Sequence, residues 1–241
     1  MTRRLRFGDV GSTNTVALER VRDGERPPFW VTATRQLAGR GRLGRSWVSE
    51  PGNLYATLTL FEPAAPERLP TLSIVTATAA RRAIEIASGA TALEVKWPND
   101  ILLDGAKVAG ILLEAHLVDG ERVVCIGCGV NCRSHPEHTA YPATNLATAG
   151  YPVKPDRLFA SLDDSMDAAL AAWHRGERTQ PFLDEWLANA HGRDGRVSVG
   201  TPGGRVSGTL RGIDGTGRLL LDTDNGRMTI TAGDLEAPRT E

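Results

Sequence analysis

The chain has 241 residues, 28 of them basic and 29 acidic, for a formal net charge of −1 and a hydrophobic share of 41%. That length suits one sizeable domain plus a small one, and the hydrophobic share excludes a disordered chain. The charge balance argues against a general polyanion binder, and no apolar run approaches the roughly 18–20 residues that a membrane span needs.

In chain order, TNTVALERVR at 13–22 reads as a short helix, with Ser12 or Thr13 as N-cap and Gly24 beyond its end. Residues 30–34 are β-rich. In 53–61, Leu54, Ala56, Leu58 and Leu60 alternate with Tyr55, Thr57, Thr59 and Phe61, the pattern of a strand. An amphipathic helix is expected over 69–88, with Leu69, Leu72, Val75, Ala79, Ala83 and Ile86 on one face. LEVKWP (93–98), KVAGILLEAHL (107–117) and RVVCIGCGV (122–130) then read as strands, with Asp104-Gly105 turning the first pair. Short turns between strands predict a largely antiparallel or mixed sheet with packed helices, an α+β fold.

The next third is helical. Leu158, Leu162, Met166, Leu170 and Trp173 recur at helical spacing, as do Phe182, Trp186, Leu187 and Ala190, and Gly192 is the expected stop. From about 193, short β runs separated by Gly and Asp turns predict a small barrel. The expected division is therefore 1–191 and 192–241.

Three segments could carry chemistry. In GRGRLGRSW (39–47), glycines at 39, 41 and 44 free the backbone, and Arg40, Arg42 and Arg45 supply planar forks for phosphate or carboxylate. No acidic residue falls between Glu25 and Glu50. The segment is neither a P-loop nor a dinucleotide-binding fingerprint, and pattern alone leaves a solvated basic loop as an equal reading. In KWPNDILLDGAKVAGILLE (96–114), a hairpin could return Lys107 beside Asp100. Such a pair is either a structural ion pair or a cation held for an anionic ligand, with a carboxylate that orients it or faces Mg2+. In CIGCGVNCRSHPEH (125–138), Cys125, Cys128, Cys132, His135 and His138 superficially suggest zinc, but the spacing matches no familiar finger, and Cys125 in a β run reads as a small hydrophobe. Three cysteines make no disulfide framework, so a reduced, cytoplasmic home is expected. Only three of the basic residues are lysines, Lys96, Lys107 and Lys154.

GDVGSTN (8–14), Q-x-x-GRGRLGRSW (36–47), KWPND (96–100), KVAGILLE (107–114), GCGVN (127–131) and ATNL (143–146) together resemble the ordered signature of biotin protein ligases. The resemblance implies a catalytic domain of mixed sheet and flanking helices, similar to class II synthetases, with a small SH3-like C-terminal β domain. It also implies a two-step, AMP-forming activity. Biotin and ATP give biotinoyl-5′-AMP and pyrophosphate, and the biotinyl group then passes to one lysine of a biotin carboxyl carrier domain of acetyl-CoA carboxylase or a related carboxylase. By the same resemblance, Ser12, Thr13, Asn14 and Gln36 contact biotin, and Gly39, Arg40, Gly41 and Arg42 fold over biotin and the adenylate phosphate. Lys107 contacts the reacting carboxylate and α-phosphate. Arg42, Arg45, Trp47, Lys96, Asn99 and Asn131 fall on the nucleotide side. Arg40, Arg42, Asp100 and Lys107 form the catalytic set, with Mg2+ arriving with ATP near Asp100 and no protein-only metal site. Cys128 and Asn145 depart from the usual pattern, which has an aliphatic residue and serine at those positions.

A lipoate or octanoate ligase is the nearest rival, but its arginine-plus-triple-glycine segment is missing. A non-catalytic biotin-sensing module is the other alternative, against which Arg40, Arg42, Asp100 and Lys107 all stand. The first signature block includes Gly11, so no preceding helix-turn-helix, and hence no DNA partner, is expected. A homodimer is compatible with the sequence. The glycines of 39–44 lead us to expect a loop that orders on its ligands.

Overall fold

The computed structural model describes residues 2–137, 139 and 141–236. Twelve strands and four helices follow one another as β1 (Arg3–Val10), α1 (Thr13–Arg22), β2 (Phe29–Gln36), β3 (Leu54–Phe61), α2 (Thr71–Ser88), β4 (Leu93–Lys96), β5 (Asp100–Leu103), β6 (Ala106–Val118), β7 (Glu121–Val130), α3 (Pro155–Trp173), α4 (Gln180–Ala188), β8 (Arg196–Thr201), β9 (Gly204–Ile213), β10 (Leu219–Thr223), β11 (Gly226–Ile230) and β12 (Asp234–Glu236). The first seven strands form one mixed sheet, ordered β1-β2-β3-β7-β6-β5-β4, in which only β1 and β2 run parallel. The last five form an antiparallel sheet, ordered β11-β10-β9-β8-β12.

Strand alternation sorts the large sheet's side chains onto two faces. From β2, Trp30 joins the main core while Phe29 and Val31 join a smaller one. From β7, Val124, Ile126, Cys128 and Val130 face the main core, and Val123 and Cys125 the smaller. The main core is closed by α2, α3 and α4, through Leu72, Val75, Leu162, Met166 and Trp186 among others. The smaller core is closed by α1 through Ala17, Leu18 and Val21. Two buried indoles are tied to polar partners: Trp30 Nε1 donates to Asp163 Oδ1 at 2.7 Å, and Trp173 Nε1 to Thr71 Oγ1 at 3.1 Å. Truncating either to alanine would cost about 3–5 kcal/mol.

The structure corrects the sequence reading at four places. β1 was not anticipated, because only Leu5 and Phe7, alternating with Arg4 and Arg6, mark its apolar face. Asp104-Gly105 turns β5 into β6, not β4 into β6. The helix expected over 69–88 begins at Thr71. Finally, α4 ends at Ala188 with Asn189 as its C-cap, so Gly192 lies beyond its end. Among the described residues, no helix is long and apolar enough to cross a membrane.

Candidate active site

A cavity opens on the α1 side of the large sheet, lined by residues from all six blocks quoted above. Its floor follows from register. Tyr55 and Thr57 of β3 pair with Gly129 and Gly127 of β7, which pair in turn with Gly110 and Leu112 of β6. The glycines are a steric requirement. A Cβ on Gly129 would sit 2.7 Å from the Trp47 ring, and one on Gly127 would sit 2.5 Å from Asn14 Oδ1. The indole and the amide therefore lie directly on bare backbone.

At one end, buried hydroxyls and amides form a closed network. Gln36 Oε1 accepts from Thr13 N (2.8 Å) and Thr13 Oγ1 (3.0 Å), and Gln36 Nε2 donates to Ser49 Oγ at 3.0 Å. Thr57 Oγ1 lies 2.8 Å from Thr13 Oγ1 and 2.7 Å from Asn14 Oδ1. Asn14 Nδ2 donates to Glu114 Oε2 at 2.7 Å. Ser12 is buried at the N-cap of α1, and its side chain makes no capping bond.

The other end is charged. The β5–β6 ladder pairs Asp100 with Gly110, Ile101 with Ala109, and then Leu102 with Lys107, so β6 carries one extra residue at this point. Such a bulge re-aims a side chain. Without it Lys107 would lie on the face opposite Gly110; with it, Lys107 shares the face of Asp100. Lys107 Nζ is 2.7 Å from Asp100 Oδ1, an ion pair whose alignment falls short of a hydrogen bond, and 5.2 Å from the Trp47 ring centroid. Among the described residues, Trp47 Nε1 is buried without a partner.

Residues 39–47 form a short hairpin over this cavity. Arg40 bridges Ser46, Trp47 N donates to Gly39 O at 2.9 Å, and Leu43 and Gly44 turn the tip at positive φ. Arg42 donates to Asp234 Oδ1 (3.0 Å) and Gly233 O (3.2 Å), and Arg45 NH2 lies 3.0 Å from Asp234 Oδ2. Burial pushes the Arg42 guanidinium below its ordinary pKa, and Asp234 opposes the shift.

The expected residues Ser12, Thr13, Asn14, Gln36, Arg40, Gly41, Arg42, Arg45, Trp47, Asn99, Asp100, Lys107 and Asn131 all line the cavity. Gly39 and Lys96 do not. Gly39 lies behind the loop, its Cβ position 2.5 Å from Trp47 O. Lys96 is buried with Nζ 3.8 Å from the Tyr141 ring centroid, and burial pushes its pKa down against the pull of Asp100. Asn99 and Asn131 also brace the backbone, donating to Ile111 O and Thr144 O respectively.

Sequence reasoning missed Thr57, Glu114, Tyr141 and Asp234. Glu114 sat inside a quoted block, and Thr57 inside a predicted strand. Asn53 was also missed; its Oδ1 accepts the N–H groups of Cys132, Arg133 and Ser134 and so shapes the loop after Asn131.

Asn145 is buried outside the cavity wall, where it accepts from Thr148 N at 2.9 Å and lies 2.8 Å from His135 Nδ1. Its departure from the family pattern therefore serves a turn. Among the described residues, no three His, Cys, Asp or Glu side chains converge as a metal cage. Cys125, Cys128 and Cys132 are free and buried, and burial pushes each thiol up to about 12. His138 lies outside the described residues.

Residues 9–131 match the biotin/lipoate A/B protein ligase family, and residues 195–236 match the biotin protein ligase C terminal domain. The chain is 36% identical to a biotin–[acetyl-CoA-carboxylase] ligase of Paracoccus denitrificans, over 93% of this chain and 96% of that protein. Among solved structures, the Aquifex aeolicus biotin protein ligase in complex with biotin and ATP superposes with a TM-score of 0.84 at 25% identity, covering 100% of both chains. The Leishmania major biotin protein ligase in complex with biotinyl-5-AMP superposes at 0.68, also at 25% identity, covering 95% of this chain and 99% of that one. Fold, ordered motifs and relatives agree: the chain belongs to the biotin protein ligase family.

Proposed function

We infer that this protein activates biotin with ATP and transfers the biotinyl group to a lysine of a biotin carboxyl carrier domain. The single observation that carries this reading is the cavity that gathers residues from all six motif blocks. The ligands of the Aquifex and Leishmania complexes, biotin with ATP and biotinyl-5-AMP, are the substrates and intermediate of such a reaction. The match to the biotin ligase C-terminal domain favours biotin over lipoate.

The chemistry assigns the two ends of the cavity. The hydroxyl and amide end around Ser12, Thr13, Asn14 and Gln36 suits the uncharged, hydrogen-bonding ring system of biotin. The charged end receives the carboxylate and the triphosphate. A biotin carboxylate oxygen forms a bond to the α-phosphorus, the α–β phosphoanhydride bond breaks, and pyrophosphate leaves. Both reactants are anionic, so the barrier depends on cations fixed where charge gathers. Lys107 meets the carboxylate and α-phosphate, while Arg42 and Arg45 face the departing phosphates. Asp100 holds the Lys107 ammonium in place, and Tyr141 offers a flat face for the base. In the second step, the carrier lysine amine attacks the acyl carbon and AMP leaves.

Mg2+ accompanies the triphosphate as part of the nucleotide substrate. The residues here fit that role better than a resident ion, since Asp100 is the lone acidic side chain in the described cavity wall and one of its oxygens already faces Lys107. A cytoplasmic location belongs to the same reading, and the three cysteines, buried as free thiols, are compatible with a reducing compartment.

The test is mass spectrometry of a carrier domain incubated with this protein, biotin and ATP. One biotinyl group on one lysine is expected. An unmodified carrier, with both small molecules present and the protein folded, would overturn the reading.

A further inference from the structure

The arginine hairpin is held at its two ends by two carboxylates from different parts of the chain, neither of them in the set assigned above. At the biotin end, Glu114 of β6 bridges α1 and the loop. Its Oε2 accepts from Asn14 Nδ2 at 2.7 Å and lies 3.5 Å from Arg40 NH2. Arg40 NH1 also donates to Thr15 Oγ1 at 3.1 Å, so the first arginine of the loop lies along α1. At the phosphate end, Asp234 of β12 holds both arginines: its Oδ1 accepts from Arg42 NH1 at 3.0 Å and from Arg45 NH2 at 3.2 Å, and its Oδ2 lies 3.0 Å from Arg45 NH2. The two carboxylates come from separate elements, Glu114 from β6 of the large sheet and Asp234 from β12 of the small one. Both carboxylates are half-buried, where an ion pair is screened less than on open surface.

We propose that Glu114 and Asp234 are positioning residues that pin the arginine loop over the cavity at two points, Glu114 governing the biotin end and Asp234 the triphosphate end. This rests on the reading of the chain as a biotin-activating ligase. Glu114 acts through Asn14 and Arg40, and Asp234 through Arg42 and Arg45; neither lines the cavity itself. The small C-terminal sheet thereby becomes part of the nucleotide site by fixing the arginines that face it. A loop pinned at two independent points has a specific consequence: releasing one end loosens the grip on one substrate and spares the other.

The experiment uses the full chain with Glu114→Gln and Asp234→Asn, plus Glu114→Asp and Asp234→Glu to restore the charge. Biotin-dependent pyrophosphate exchange gives KM for each substrate. Glu114→Gln is expected to raise KM for biotin about fivefold and leave KM for ATP within twofold, and Asp234→Asn to do the reverse, the size an ion pair at the upper end of surface values supplies. The charge-restoring variants recover part of each loss. Equal movement of both KM values in both variants, or of neither, overturns the proposal.

A second readout needs no activity. Trypsin cleavage after Arg40, Arg42 and Arg45, mapped by mass spectrometry on ligand-free protein, is expected to be about fivefold faster in the charge-neutral variants than in the parent. Unchanged cleavage overturns the two-point clamp. Should the parent itself lack biotin-dependent exchange, the ligase reading fails, and the cleavage comparison still decides the clamp.

Discussion

Lys107 faces Asp100 across 2.7 Å because β6 holds one residue more than its partner strand requires. A regular ladder would turn Lys107 to the other face of the sheet, away from the cavity floor. The bulge therefore converts a strand position into a site position. Lys107→Ala removes the cation while leaving the ladder intact, and exchange is expected to fall by about 10²–10³ or more with the far-ultraviolet circular dichroism unchanged. Lys107→Arg should recover little, since a planar fork does not replace a compact ammonium held between Asp100 and Trp47. Exchange near the parent rate in Lys107→Ala would contradict the assignment.

The glycine floor makes a steric prediction. Gly127→Ala would drive a methyl into Asn14 Oδ1, and Gly129→Ala into the Trp47 indole. Each should lower stability by about 1–3 kcal/mol, the range for overpacking. Gly127→Ala is expected to raise KM for biotin through Asn14. Gly129→Ala should alter tryptophan emission through Trp47. Urea melts and fluorescence spectra check both, and an unperturbed emission in Gly129→Ala would mean that the ring does not rest on that glycine.

The cysteines should be silent. With Cys125, Cys128 and Cys132 pushed up to about 12 by burial, almost no thiolate exists near pH 8. A colorimetric disulfide reagent should titrate no thiol in the native protein and all three after denaturation. Rapid native reaction of any of them would place a reactive thiol where the structure has an apolar one.

Lys96 makes a pH prediction. Its pKa is lowered in the folded protein by burial, below the ordinary 10.5. The unfolded chain therefore holds that proton more tightly, which costs stability below the folded pKa. The cost fades as pH rises toward 10.5. Lys96→Met should melt at or above the parent near neutrality, and the parent should gain on it as the pH rises. A melting difference that stays constant with pH would contradict this.

Much of the site was legible because its residues sit in short blocks whose order survives reading. The helix at 13–22 followed from its cap signals, and the strands running into Asn131 from β-rich runs joined by tight turns. Glu114 was in view within its block, yet nothing local distinguished it from a solvated strand glutamate. Asp234 was harder: its partners Arg42 and Arg45 lie about 190 residues earlier, and only the packing of the small sheet brings them together. β1 escaped because Leu5 and Phe7, which pack on the smaller core, are too few to mark a strand, and its pairing with β2 crosses a helix. Lys96 belongs to a block that resembles ligand contacts, and the fold places it buried against Tyr141, a packing that no local pattern in the block announces.

The most direct test of the central claim is pyrophosphate exchange into ATP, measured side by side with biotin, lipoate and octanoate. Exchange with biotin, and none above background with the other two acids, is the predicted result. Exchange supported by lipoate or octanoate but not by biotin would contradict the account.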